Sequence, residues 1–221
     1  MRYLYYPGCT LHANRSTGSE FDMSFRRVCS RLGIELEDVP GWICCGSTSA
    51  HSTSRLLSLS LPMKNLQLAS GLGIDKMLVP CAACFSRFKF ALYETGEDEA
   101  LRAEVMEVVG TPEPDDIAVL HPLEVFSGEE ALARLKARLR RGLSGLKVAC
   151  YYGCLLARPA KVTRFDECEY PTSMDRIAAA LGAVPVEWDY RTDCCGAGFS
   201  LTETDIVHKL TGDILHNAKA R

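Results

Sequence analysis

The stretch Tyr5-Tyr6-Pro7-Gly8-Cys9 places a cysteine directly after a short apolar run and a Pro-Gly pair. The apolar residues from Leu4 to Tyr6 predict a short β-strand, and the Pro-Gly pair predicts the turn that ends it. A similar stretch recurs as Cys150-Tyr151-Tyr152-Gly153-Cys154. Because self-similarity within a chain is typical of a duplicated architecture, this recurrence predicts two copies of one structural unit.

Two further motifs support the duplication. Cys44-Cys45-Gly46 recurs as Cys194-Cys195-Gly196, and the segment 25–28 corresponds to 174–177. We therefore expect two lobes of the same design, joined by a segment that contains a basic helix over 129–141. The expected boundaries are 1–110 for the first lobe, 111–145 for the linker with the basic helix, and 146–221 for the second lobe.

Strand and helix patterns alternate along the first lobe. They predict helices over 19–32 and 54–70, strands near 34–39 and 77–79, and a helix that opens at Cys81. Alternation of this kind predicts an α/β fold, with a small, mostly parallel sheet and flanking helices in each lobe. Ligands bind beyond the strand ends in such sheets, and the cysteine motifs fall at those ends, so we expect them to meet there.

Composition narrows the classes of protein that the chain can belong to. It has 221 residues, 47% of them hydrophobic, and a net charge of −3, which argues against a nucleic-acid-binding face. We find no apolar stretch of membrane-spanning length and no signal peptide, so we expect a cytoplasmic protein. The chain has 11 cysteines, and in a reducing compartment clustered thiols are typical of metal ligands or redox groups rather than disulfides.

The cysteines of the first lobe favour an iron–sulfur cluster over zinc. Thiolates select zinc, copper(I) or iron–sulfur clusters, and structural zinc takes four ligands. Adjacent cysteines cannot easily bind one tetrahedral ion, but they can bind different irons of one cluster, and a helix N-terminus favours an anionic group. The set comprises Cys9, Cys44, Cys45, Cys81 and Cys84.

The motifs around these cysteines resemble a known family. Tyr6-Pro7-Gly8-Cys9 and the stretch 39–46 are similar to the cysteine-rich CCG domain in the B-type subunit of heterodisulfide reductase. The resemblance implies a non-cubane 4Fe–4S cluster on five cysteines in each lobe, a small disulfide cleaved between the two clusters, an iron–sulfur C-type subunit that delivers electrons and a flavin-bearing A-type subunit. It also implies that the five cysteines above bind the first cluster, and that the second ligand set begins with Cys154, Cys194 and Cys195.

The second ligand set is incomplete. Asn65 precedes the Cys-x-x-Cys motif of the first lobe, and its counterpart Asn217 is followed by no such motif before the chain stops. We therefore expect a truncated second lobe, and three interpretations remain open. The gene product is shortened, another chain supplies the missing ligands, or the second lobe has lost its cluster.

Several other residues carry two interpretations each. His12 either donates a hydrogen bond to a cluster or substrate, or is a surface histidine. Cys29 is expected to be a packing residue, and Cys150 and Cys168 to be ordinary buried cysteines. The basic helix is either a solvated face or a docking face for an acidic partner. No nucleotide- or flavin-binding motif was found.

The function that follows is that of an oxidoreductase component within a multi-subunit complex. It would reduce a disulfide, such as that joining coenzyme M and coenzyme B or a related one, at its iron–sulfur clusters. The alternative is an electron-transfer CCG component of another oxidoreductase complex, without disulfide chemistry. A zinc-binding fold is a third interpretation.

Overall fold

The structure, a computed structural model, describes residues 1–12 and 18–221, and at Thr48 the backbone alone. The described residues form two compact units, Met1–Pro122 and Leu123–Arg221. The segment 111–145, expected as a linker, is divided between them. Its first part contributes a strand to the first unit, and its second part contributes helices to the second.

The first unit is built on a four-stranded parallel sheet. The strands are β1 (Arg2–Tyr5), β2 (Glu35–Asp38), β3 (Lys76–Leu78) and β4 (Ala118–Leu120), in the spatial order β2-β1-β3-β4. Its helices are α1 (Gly8–Leu11), α2 (Ser19–Leu32), α3 (Ser47–Thr53), α4 (Arg55–Ala69), α5 (Ala82–Glu97) and α6 (Glu99–Val109). The α/β class and the parallel sheet with flanking helices are as predicted.

The register of the sheet brings the strand ends into one row. Tyr5 is paired with Asp38 on one side and with Leu78 on the other, and Leu78 is paired with Leu120. All four residues are the last of their strands. The loops that follow them therefore leave the same edge of the sheet, which is the edge where parallel α/β sheets hold their ligands.

Two consecutive tyrosines attach helices to opposite faces of the sheet. Successive side chains of a strand point to opposite faces. Tyr5 stacks on Phe25 of α2 with ring centroids 5.6 Å apart, and Tyr6 meets Phe88 of α5 edge-on at 5.0 Å. Both tyrosines are fully buried, and each such aromatic contributes about 2–3 kcal/mol of hydrophobic stabilisation.

An ion pair on the buried carboxylate of Asp22 holds α2 against the end of the sheet. The hydroxyl of Tyr5 donates to Asp22 Oδ1 at 2.5 Å, and Arg26 Nε donates to Asp22 Oδ2 at 2.9 Å. Arg26 also bridges to Asp38, the last residue of β2. Because Asp22 is 2% exposed, these hydrogen bonds offset the loss of its hydration.

The second unit has a smaller sheet. Strands β5 (Lys147–Val148) and β6 (Val184–Pro185) pair in parallel. Its helices are α7 (Pro122–Phe126), which starts at the last residue of the first unit, α8 (Glu129–Arg138), α9 (Cys154–Ala157), α10 (Ala160–Thr163), α11 (Ser173–Ala180) and α12 (Thr204–Lys219). The basic helix, predicted over 129–141, is α8 and ends earlier, at Arg138, because Leu139 is extended; its cations Lys136 and Arg138 are exposed.

Candidate metal centre

Three cysteine-bearing segments follow three adjacent strands of the first unit. Cys9 lies in α1 after β1, Cys44 and Cys45 lie in the loop after β2, and Cys81 lies at the start of α5 after β3. Since these strands end in one row, the segments meet at one edge of the sheet. The predicted convergence of the three motifs is therefore present in the fold.

Three of the thiols form a buried group. Cys45 Sγ and Cys84 Sγ are 3.3 Å apart, and Cys84 also hydrogen-bonds to Cys81. Cys45 and Cys84 are almost completely buried, whereas Cys81 is partly exposed. These thiols come from the second and third motifs, which are separated by helices α3 and α4 in the chain.

Hydrogen bonding makes two of these thiols acidic. The pKa of Cys81 is lowered to about 6, mainly by the hydrogen bond to the Cys84 thiol. Burial raises this pKa, and the backbone N–H groups of Cys84 and Ala83 lower it further. Hydrogen bonding lowers the pKa of Cys45 to about 7, again mainly through Cys84. Hydrogen bonding to these two neighbours, together with burial, raises the pKa of Cys84. These lowered pKa values favour the thiolate forms of Cys45 and Cys81, and the thiolate is the form that binds metals.

The other two thiols form an exposed pair. Cys44 is within hydrogen-bonding reach of Cys9, and burial raises the pKa of Cys44. The backbone N–H of Gly46 donates to Cys44 Sγ at 3.4 Å, in a turn that needs the positive φ of a glycine. Among the described residues, no three Cys, His, Asp or Glu side chains converge as ligands of a single metal ion. The five thiols instead lie as a buried trio and an exposed pair.

Gly8 brings the first motif close to the buried trio. It has φ +69°, and a Cβ atom at this position would lie 3.0 Å from Cys84 Sγ. A side chain here would therefore push on the thiol as well as strain the backbone. The close approach requires glycine and keeps the segment that carries Cys9 against the trio.

An aromatic layer lies beneath the thiols. Tyr6 donates to the carbonyl oxygen of Ile43 at 2.8 Å, and its ring meets Trp42 edge-on with centroids 5.4 Å apart. Burial, followed by the neighbouring thiols Cys84 and Cys45, raises the pKa of Tyr6, so it remains a neutral donor. His12 is exposed and packs edge-on against Trp42 at 5.2 Å, which places it beside the loop of the cysteine pair.

Asn65 supports the same loop from α4. This fully buried residue accepts a hydrogen bond from Ile43 N at 2.8 Å and donates to Leu61 O at 2.9 Å. Ile43 is therefore held through both its N–H and its carbonyl oxygen. The residue that precedes the cysteine pair is fixed on both sides.

The second unit repeats this local geometry around Cys194. Tyr151 donates to the carbonyl oxygen of Asp193 at 2.6 Å, and Gly196 N donates to Cys194 Sγ at 3.3 Å. Cys154 hydrogen-bonds to Cys194, and burial raises the pKa of Cys154. Together with burial, the negative charge of Cys195 raises the pKa of Tyr151, just as that of Cys45 raises the pKa of Tyr6. The three predicted cysteines of the second set thus occupy positions equivalent to Cys9, Cys44 and Cys45.

The remaining cysteines lie apart from both sets. Cys29 and Cys150 are buried, as expected. Cys168 was expected to be buried, but it is partly exposed, because it lies between Glu167 and Glu169, whose carboxylates stay at the surface. This interpretation of Cys168 was wrong.

Two residues near the first set were missed by sequence reasoning. His121 follows β4 and its Nε2 donates to the carbonyl oxygen of Pro80 at 3.1 Å, directly before Cys81. Arg87 lies one turn after Cys84 on α5, and its positive charge favours the thiolate of Cys45. The i, i+3 spacing of Arg87 from Cys84 was a usable signal, whereas His121 depends on a strand that the sequence did not predict.

Comparison with known proteins assigns the chain to a family. The sequence profile of CCG, described as a cysteine-rich domain, matches residues 3–89 and 148–220. The chain belongs to the CCG cysteine-rich domain family, and its relatives confirm the predicted resemblance to the B-type component of heterodisulfide reductase. The two matched regions also confirm the internal duplication.

Two kinds of relative stand out. The 8-methylmenaquinol:fumarate reductase membrane anchor subunit of Wolinella succinogenes is 31% identical over 98% of this chain and 74% of its own length. The B-type component of the ferredoxin:CoB-CoM heterodisulfide reductase of Methanosarcina mazei is 31% identical over 86% of this chain and 63% of its own. The equivalent component of the ferredoxin/F(420)H(2)-dependent enzyme of Methanosarcina acetivorans is 29% identical over 87% and 64%. The chain thus spans about two thirds of the length of the heterodisulfide reductase relatives.

One solved structure has a similar fold. It is a hypothetical protein from Helicobacter pylori, with a TM-score of 0.67 and 12% identity, and the match covers 94% of this chain and 37% of that one. At this identity the likeness concerns the fold alone. Within residues 1–12 and 18–221, no helix combines the length and the apolar composition needed to cross a bilayer.

Proposed function

We propose that the chain is the iron–sulfur redox component of a multi-subunit oxidoreductase, with Cys9, Cys44, Cys45, Cys81 and Cys84 as ligands of a 4Fe–4S cluster. The observation that carries this proposal is the meeting of the five thiols at one edge of the sheet. By resemblance to the family, the cluster is of the non-cubane type. We place the protein in the cytoplasm.

The donor set fits such a group. Its soft thiolate ligands suit iron–sulfur clusters, and the split into a buried trio and an exposed pair suits several irons better than one zinc ion. The lowered pKa values of Cys45 and Cys81 favour the deprotonated ligands that metal binding requires. The first N–H groups of α5 point toward Cys81 and favour negative charge there.

A bound iron–sulfur cluster supplies electrons one at a time, at a potential set by the charges and hydrogen bonds around its sulfurs. In this chain, Gly46 N–H and the start of α5 donate to ligand sulfurs, and Arg87 adds a positive charge. The buried ring of Tyr6 packs edge-on against Trp42 next to the loop of the cysteine pair.

The finer proposal is reduction of a small disulfide. The reaction takes one disulfide, two electrons and two protons, and it yields two thiols. Electrons would come from an iron–sulfur C-type subunit in a complex that also holds a flavin-bearing A-type subunit. The relatives from heterodisulfide reductases support this substrate class.

In the second unit, the proposed ligands are Cys154, Cys194 and Cys195. Their geometry matches three positions of the first set, which supports a role as part of a second cluster site. Two-electron cleavage between clusters requires that second site to be complete in the working assembly.

The second candidate is electron transfer without disulfide chemistry. The fumarate reductase relative favours it, because the match covers 98% of this chain. The printed name of that relative refers to menaquinol and fumarate and not to a disulfide. In this case the chain would pass electrons between partner subunits, and the same five thiols would hold the cluster.

Iron and sulfide analysis of anaerobically purified protein tests the common part of both candidates. We expect about four irons and four acid-labile sulfides per chain for one cluster, and about eight of each if the second site also assembles. Zinc without sulfide would refute the proposal. Turnover of a small disulfide with a reduced viologen dye, measured on protein that carries about eight irons, then separates the two candidates, because only the first predicts thiol release.

A further inference from the structure

A cavity of about 300 Å³ lies in the first unit among helices α3, α4 and α5. It is lined by His51 of α3, Arg55 and Ser58 of α4, and Arg87, Phe90 and Glu94 of α5. This volume is at the lower end of the range for small-molecule pockets. The lining is rich in nitrogen donors.

One of its two arginines is already paired, and the other is not. Arg55 Nη2 lies 2.7 Å from Glu94 Oε2. Arg87 has no hydrogen bond or ion pair among the described side chains, and its guanidinium lies over the ring of Phe90, 5.0 Å from the centroid. The lining therefore carries one guanidinium whose N–H donors have no hydrogen-bond acceptor among the described residues, although the charges of Cys45 and Glu94 act on it.

The position of Arg87 is costly without an anion. Burial is the main effect on its pKa and lowers it, while the charges of Cys45 and Glu94 act in the opposite direction. A half-buried guanidinium carries five N–H donors that have lost part of their water. Its planar fork matches a carboxylate or phosphate with two parallel hydrogen bonds.

We propose that this cavity binds a small molecule through one oxyanion group, a carboxylate, sulfonate or phosphate, with Arg87 as the main anchor and His51 as a second donor. Arg87 follows Cys84 by three residues on α5, which is about one helical turn or ~5 Å along the axis. None of the described residues that line the cavity is a cysteine, so the bound molecule reaches the thiols only where it extends beyond the cavity. Its role as a substrate rests on the proposed function, whereas the binding itself does not.

A competing explanation is that Arg87 only balances the negative charge of the thiolates. Its effect on Cys45 makes this physically reasonable. In that case the cavity has no ligand of its own, and loss of the charge changes the metal site without changing anion binding. The two explanations predict different results for the same variant.

The test is calorimetric titration of the full chain, purified anaerobically, with inorganic phosphate, succinate and ethanesulfonate in separate arms at low ionic strength. We expect wild type to bind one of the three preferentially, which identifies the oxyanion. Arg87→Gln should weaken that binding at least tenfold. Arg87→Lys keeps the charge without the fork and should give a smaller loss, and it also serves if the first variant folds poorly.

Arg138→Gln is the matched control, because Arg138 is an exposed arginine of α8 in the other unit. It should bind within twofold of wild type. Equal affinity of Arg87→Gln and wild type, or no binding of any probe to wild type, would overturn the inference. Loss of iron in Arg87→Gln with unchanged anion binding would overturn it in favour of charge balancing. Anion binding by wild type that contains no iron would uphold the inference and refute the proposed function alone.

Discussion

The hydroxyl of Tyr6 donates a hydrogen bond to the carbonyl oxygen of Ile43 at 2.8 Å. In the second unit, Tyr151 bonds in the same way to Asp193 at 2.6 Å. Each acceptor directly precedes a Cys-Cys-Gly motif. The tyrosine that follows the first strand thus ties the strand to the loop that carries the cysteine pair, in both copies of the unit.

Replacement of Tyr6 by phenylalanine should lower the free energy of unfolding by about 1–2 kcal/mol, because it leaves a partly buried carbonyl without its donor. The phenyl ring keeps the contacts with Trp42 and Phe88. Urea denaturation at pH 7 measures the effect. Tyr170→Phe is the control, since Tyr170 is 73% exposed and its change should be nearly neutral. Equal stability of the Tyr6 variant and wild type would contradict the prediction.

Replacement of Asn65 should lower the free energy of unfolding more than replacement of Asn217, its counterpart in the second unit. Asn65→Ala should cost about 2–3 kcal/mol, because it leaves Ile43 N–H without an acceptor and opens a small cavity. Asn217 accepts from Asp189 N at 3.3 Å in an exposed position, so Asn217→Ala should cost less than about 1 kcal/mol. Denaturant titration of both variants compares them directly. A larger loss for Asn217 than for Asn65 would show that burial does not set the difference.

His121 should make the protein sensitive to acid. Burial lowers its pKa from 6.5 to about 4. Between these values the unfolded chain binds more protons than the folded one, so stability falls as the pH drops from about 6.5 to about 4, by up to about 3 kcal/mol. His121→Gln retains an N–H donor for Pro80 and should remove this step. The measurement is the free energy of unfolding of both proteins as a function of pH. Parallel curves for the variant and wild type would exclude His121 as the cause of the acid sensitivity.

Cysteine variants should separate ligands from packing residues. Cys45→Ala and Cys81→Ala should each remove more than half of the iron and sulfide, because each takes away a thiolate of the buried trio. Cys29→Ala should retain both, since Cys29 is buried in α2 away from the strand ends. Iron and sulfide content per chain is the measurement. Full loading of either ligand variant would remove that cysteine from the proposed set.

The sequence predicted those parts of the fold that local patterns determine. The apolar run before the Pro-Gly pair became β1, and helix α2 spans Ser19–Leu32 as expected, ending at Gly33 with φ 71°. The meeting of the cysteine motifs could also be foreseen, because parallel strands place their following loops at one edge.

Strand β4 could not be foreseen in the same way. It has only three residues, Ala118–Leu120, and follows a segment rich in proline and aspartate. Its conformation depends on pairing with β3, a partner distant in the chain. The position of His121 could not be predicted either, because this residue directly follows β4. The lack of a hydrogen-bond partner for Arg87 among the described residues depends in the same way on how α3, α4 and α5 pack.

The central place of β1 in its sheet also bears on when the five thiols can come together during synthesis. Arg2–Tyr5 is synthesised before both of the strands that it pairs with, Glu35–Asp38 and Lys76–Leu78, so its neighbours emerge from the ribosome later. Pairing of strands so distant in the chain is slow, since long loops must close first. The five thiols therefore remain apart until Cys84 has been translated. The proposed five-thiol site is therefore complete only after the strands of the first unit have paired.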